Sequence, residues 1–189
     1  MKISETELLI VPGLGNASDD DWQGRWLARM PTARRVEQAD WHKPRREAWV
    51  DALVAAVAEA KKPVVLVAHS VGILTLVHAA PLLDKTRVAG AFMVGVPDWE
   101  RPQIAQQHGD HGFDPVPLQP LGFPAVLLAS SNDPSCDLER AEAWAGAWGA
   151  RFVIAGEMGH FNAASGHGPW PEGMMAFANF LSTLTPPAA

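Results

Sequence analysis

Val64-Val65-Leu66-Val67-Ala68-His69-Ser70-Val71-Gly72 is the stretch that decides the fold. Five residues with apolar side chains run without polar alternation, which suits a strand buried on both faces of a sheet. The run ends in a serine flanked by small residues, and Ile73-Leu74-Thr75-Leu76-Val77 then reads as a helix. A strand that turns sharply through a serine into a helix is the setting of a nucleophilic elbow. There the positions two before and two after the serine must be small for the backbone to fold tightly. Ala68 and Gly72 satisfy this, although the first position is more often glycine. Taken alone, the stretch also reads as a strand followed by an ordinary serine helix cap.

Other apolar, β-branched runs extend the pattern outward: Leu8 to Val11, Val88 to Val96, Ala125 to Ala129 and Phe152 to Ala155, with Arg34 to Ala39 as a weaker strand. Helical spacing lies between them. Ser18 and Asp21 resemble a capping box before Trp22, Trp26, Leu27 and Met30. Pro44 to Ala60 carries Trp49, Leu53, Ala56 and Val57 on one face and closes with Lys61-Lys62-Pro63. Further helices are predicted from about Asp137 to Trp148 and from about Glu172 to Leu184. This alternation implies a doubly wound, mostly parallel α/β sheet with helices on both faces. One domain is expected over residues 1–184, with a frayed tail over 185–189.

In such sheets the site lies beyond the carboxyl ends of the strands. Three chemistry-bearing residues fall there in chain order: Ser70, Asp133 in Ser130-Ser131-Asn132-Asp133-Pro134, and His160 in Gly156-Glu157-Met158-Gly159-His160. A serine hydroxyl needs an imidazole to take its proton, and the imidazole needs a carboxylate on its other nitrogen to fix the tautomer. The order serine, acid, histidine is that of the α/β-hydrolase arrangement. Asp98, also at a strand end, is the alternative acid. Oxyanion donors are expected from the N–H groups of Val71 and of Leu14, the latter in the loop Pro12-Gly13-Leu14-Gly15-Asn16. That loop lacks the lysine of a phosphate-binding loop, and Asp19-Asp20-Asp21 beside it would repel phosphate.

The 15 basic against 21 acidic residues, a formal charge of −6, leave no basic footprint for nucleic acid. The single cysteine, Cys136, excludes an intramolecular disulfide and suits a reducing compartment. The apolar run near the N-terminus is too short for a signal segment or a membrane span, so a cytoplasmic location is expected. His108-Gly109-Asp110-His111 reads as a surface loop rather than a metal cluster, and neither metal nor cofactor is implied. His167 and Trp170, with Trp22, are candidate pocket walls. Eight tryptophans with no tyrosine have no explanation at this level beyond packing.

Several of these pieces together resemble the small, lidless α/β-hydrolases related to the retinoblastoma-binding serine hydrolase. They are Val11-Pro12-Gly13 with Asp21-Trp22, Asp40-Trp41 with Pro44 and Trp49, Ala68 to Gly72, Gly95-Val96-Pro97-Asp98, Ser131 to Pro134, and Gly159 to Gly166. The resemblance implies a cap-free hydrolase with its triad on Ser70, Asp133 and His160. The Leu-x-Cys-x-Glu signature of a retinoblastoma-pocket ligand is missing around Cys136, so that binding is not carried over, and the protein partner is unknown. The expected activity is cleavage of a small carboxylic ester, or else an amide or thioester, through an acyl-serine. The alternative is an idle protein of this fold that acts as a binding module. The interval from Asp98 to Phe123, rich in proline and glycine, is expected to hold little regular structure and no cap.

Overall fold

The computed structural model describes residues 1–187. Six parallel strands are joined by helices: β1 (Glu7–Val11), α1 (Trp22–Arg29), β2 (Ala33–Arg35), α2 (Arg46–Glu59), β3 (Val64–His69), α3 (Val71–Ala79), β4 (Val88–Val94), α4 (Pro102–His108), β5 (Ala125–Ala129), α5 (Leu138–Trp148), β6 (Arg151–Ile154) and α6 (Pro171–Thr183). The strand order is β2-β1-β3-β4-β5-β6, with every neighbouring pair parallel. The winding direction reverses between β1 and β3, so the crevice of a doubly wound sheet opens where the elbow sits.

The uninterrupted apolar runs are explained by helices on both faces. On one face, Leu66 and Ala68 of β3 belong to a buried layer that also holds Trp49 and Leu53 of α2, Leu74 of α3, and Trp144 and Trp148 of α5. Val65 and Val67 point the other way, toward Trp22 and Trp26 of α1 and Phe177 and Phe180 of α6. Burying each Val, Leu or Phe side chain among them contributes about 1.5–3 kcal/mol. The tryptophans are the bulk of this packing: all but Trp41 are buried, divided between the two layers.

Where element ends differ from the sequence pattern, local geometry explains it. β4 stops at Val94, not Val96, because Gly95 turns the chain with φ 64°. The first helix begins at Trp22. Ser18 gives its N–H and hydroxyl to the Asp21 carboxylate at 3.0 and 2.9 Å, so this pair builds a turn before the helix and Asp21 takes the cap position. The weak second strand is cut to Ala33–Arg35. The interval after Asp98 is more ordered than its composition suggests. Pro102, with no N–H to lose at a helix start, opens α4. Phe113, Val116 and Leu121 are buried in the core, and no cap domain forms. The tail has no regular structure from Thr185 to Pro187, and residues 188–189 of the expected frayed segment lie outside the described residues. Among the described residues no helix is long and apolar enough to cross a membrane.

Candidate active site

Ser70 sits between β3 and α3 with φ 54° and ψ −130°, a conformation that costs a non-glycine residue free energy and persists only where the surroundings impose it. Those surroundings are visible. A Cβ on Gly72 would stand 2.1 Å from the Val11 carbonyl oxygen, so only glycine lets α3 start this close to β1. A Cβ on Gly13 would meet the Ser70 Cβ at 2.7 Å, so the loop after β1 also owes its closeness to the serine to glycine.

The structure brings Ser70, His160 and Asp133 together at the carboxyl edge of the sheet. His160 Nε2 lies 2.8 Å from Ser70 Oγ, and His160 Nδ1 lies 2.9 and 3.1 Å from the two Asp133 oxygens. A carboxylate can only accept, so Nδ1 carries the proton and Nε2 faces the hydroxyl as an acceptor. Burial pushes the Asp133 carboxyl up, but hydrogen bonding and charge attraction from His160, then the Ser135 hydroxyl and amide, outweigh it and hold it below the usual carboxylate range. Ser135 was not singled out from sequence. Its hydroxyl and N–H both reach Asp133 Oδ1, at 2.6 and 2.8 Å, and the order Asp133-Pro134-Ser135 carries no signal beyond a turn.

The acid and base loops brace each other. Asn132 Oδ1 accepts from the Gly159 N–H at 2.7 Å, and Ser130 Oγ accepts from the Met158 N–H at 2.9 Å. Asp98 is elsewhere: its carboxylate meets Arg101 and Arg140 at 3.3 and 3.1 Å, so the alternative acid is committed to an ion-pair network.

A cleft of about 440 Å³ opens over the serine, with Gly13, Leu14, Trp22, Val71, Trp99 and His108 among its walls. The N–H groups of Leu14 and Val71 have no acceptor among the described residues, as oxyanion donors require. Trp22 has a second task, since its indole N–H donates to the Phe161 carbonyl at 2.9 Å and ties α1 to the base loop. His167 and Trp170 do not line this cleft. The chain passes left-handed turns at Phe161 (φ 51°) and Gly166 (φ 88°), which carry both rings beneath the base loop. There Trp170 packs on Trp22 and Phe161, and His167 lies against Phe161 and Trp170. His108, from the His108-Gly109-Asp110-His111 segment, stacks on Trp99 with centroids 5.1 Å apart, and both rings line the cleft.

His69, adjacent to the nucleophile, is held neutral: burial first, then the neighbouring His160, pushes its pKa down to about 4. A histidine with a lowered folded pKa binds its proton in the unfolded chain first, so folding stability falls as pH drops from about 6.5 to about 4. Asp133, lowered from 3.8, loses its contribution only below that window. His78 and His111, also pushed down by burial, share the loss. Replacing His69 with glutamine is therefore expected to remove its part, at most about 3 kcal/mol, from the difference in urea unfolding free energy between pH 7.5 and pH 4.5. An unchanged difference would mean that His69 already titrates normally.

No curated protein matches the chain. Among solved structures, a protein described as a YdeN-like hydrolase from Pectobacterium atrosepticum is similar with TM-score 0.82 and 32% identity, covering 94% of this chain and 92% of its own. The ydeN gene product of B. subtilis is similar at TM-score 0.73 and 19% identity, over 94% and 100% of the two chains. A thermophilic esterase from Thermogutta terrifontis shares the fold at TM-score 0.65 and 16% identity, over 94% and 89%. The architecture is the α/β-hydrolase fold. A family model described as serine hydrolase matches residues 8–179, nearly the whole span from β1 into α6, and the chain belongs to the serine hydrolase family.

Proposed function

We propose that this hydrolase cleaves small carboxylic esters through an acyl-Ser70 intermediate, with His160 as base and Asp133 as the acid that orients it. The observation that carries the reading is the contact of Ser70 Oγ with His160 Nε2 at 2.8 Å while Nδ1 is held by Asp133. In the first half-reaction Oγ bonds to the ester carbonyl carbon as its proton passes to Nε2. The oxygen that becomes negative is met by the Leu14 and Val71 N–H groups. Collapse breaks the bond to the leaving alcohol, which takes the proton from Nε2. Water then repeats the sequence on the acyl-serine and releases the acid. Within the serine hydrolases, the motifs from Gly159 to Gly166 support kinship with the retinoblastoma-binding branch, and the single free cysteine suits a cytoplasmic enzyme.

Uncharged acyl groups are favoured because among the described residues no Lys or Arg lines the cleft to pair with a negative charge on the substrate. Short acyl groups are favoured because the cleft is partly open and the interval from Asp98 to Phe123, which forms only the short helix α4, builds no cap over it. A methylene adds about 0.8 kcal/mol only where walls bury it. On p-nitrophenyl esters kcat/KM is expected to peak at about two to four acyl carbons, and a steady climb to twelve carbons would overturn that. The reaction itself is tested by a fluorophosphonate, which should label the wild type and not Ser70→Ala. Labelling of neither would return the chain to the reading of an idle binding module.

A further inference from the structure

We propose that His69 is a positioning residue: from the nucleophile's own elbow it grips the main chain of the base and holds Ser70 and His160 in register. This rests on the Ser70, His160 and Asp133 reading above.

The difficulty it answers is geometric. The nucleophile and the base are 90 residues apart in sequence, and the base arrives on a loop beyond the edge strand β6. That loop takes left-handed conformations on both sides of His160, at Gly159 (φ 54°) and Phe161 (φ 51°). Such positions set a path only when something outside the loop fixes it. Three contacts do. The Trp22 indole holds the Phe161 carbonyl, Asn132 holds the Gly159 N–H, and His69 Nε2 lies 2.8 Å from the carbonyl oxygen of His160 itself.

Only the third contact begins on the residue covalently joined to the nucleophile, so it is the shortest mechanical path between the two reacting groups. A carbonyl oxygen can only accept, so His69 Nε2 carries the proton and donates it. The two imidazoles stand 5.0 Å apart between ring centres, so His69 also flanks the base ring. His69 is held in turn by the edge of Trp22, with centroids 6.1 Å apart. Misplacing a reacting group by about 1 Å can cost on the order of 10²-fold in rate, which sets the scale for losing this grip.

The test compares three substitutions on folded protein, checked by circular dichroism and thermal melting. In His69→Gln the side-chain amide nitrogen reaches about as far as Nε2 and can keep the donation. In His69→Asn it stops short, and His69→Leu has no donor. On a short p-nitrophenyl ester, Asn and Leu are expected to lower kcat about 10- to 100-fold with KM within about threefold. The rate of fluorophosphonate labelling should slow in parallel, while Gln stays within about fivefold of wild type. Wild-type kcat in the Asn variant, a Gln variant as slow as Asn, or a loss confined to KM would each overturn the proposal. If the Leu variant does not fold, the Gln and Asn pair decides. Failure of the wild type to label would instead sink the Ser70 reading, so the two failures are told apart.

Discussion

Ser70→Ala and His160→Ala are each expected to lower kcat on a short ester by about 10⁵-fold or more while leaving the fold intact. The hydroxyl is the nucleophilic atom that the elbow presents to the cleft, and among the described residues its one hydrogen-bond partner is His160 Nε2. Removing either side of that pair removes the whole proton-transfer path, so the effects should not add. The double variant should be about as slow as each single one, with residual turnover from the Leu14 and Val71 donors and from binding alone. Stability should scarcely change. Ala tolerates φ 54° no better than Ser, so the strain at the elbow stays, and the neighbouring Cβ contacts of Gly13 and Gly72 are untouched. The check is kcat measured beside thermal melting. A folded variant that keeps a tenth of wild-type turnover would mean that another group is the nucleophile or the base.

For the acid, Asp133→Asn is expected to cost about 10⁴ in kcat, because an amide can turn its NH₂ toward Nδ1 and force the proton onto Nε2, where it blocks the serine. Ser135 sharpens this. Its hydroxyl and N–H already donate to Oδ1, which leaves the other position of the side chain to face His160. Asp98→Asn should do the opposite. Its carboxylate joins Arg101 and Arg140 with only 9% of its side chain exposed, so the substitution removes the shared buried charge and leaves Arg101 with Asp137 and Arg140 with Glu100 alone. Stability is expected to fall by about 1–3 kcal/mol, with kcat within about tenfold of wild type. Urea unfolding and ester kinetics on the two variants separate the roles. A larger kcat loss for Asp98→Asn would make it the orienting acid.

What the amino-acid order determined by itself was the layered sheet and which residues reach its carboxyl edge. Uninterrupted apolar runs such as Val64 to Ala68 have no exposed face to offer, so they encode strands covered on both sides. Right-handed crossovers between parallel strands then bring every strand end to one side. Ser70, Asp133 and His160 share an edge for that reason, with no knowledge of distances needed. The tertiary structure alone decided everything that depends on side-chain direction after a loop. His167 and Trp170 follow His160 closely in sequence, yet two left-handed turns swing them under the loop. The bond that holds this loop, from the Trp22 indole to the Phe161 carbonyl, spans 139 residues. The order of α4 has the same origin, since no local pattern announces that Trp99 will stack on His108. His69 at the end of β3 and Ser135 after Pro134 carry no sequence signal for their roles, because only packing sets their donors against His160 and Asp133. Periodicity reports which face of an element is apolar; the aim of a polar atom is set by partners distant in sequence, and only the closed fold brings those partners within hydrogen-bonding range.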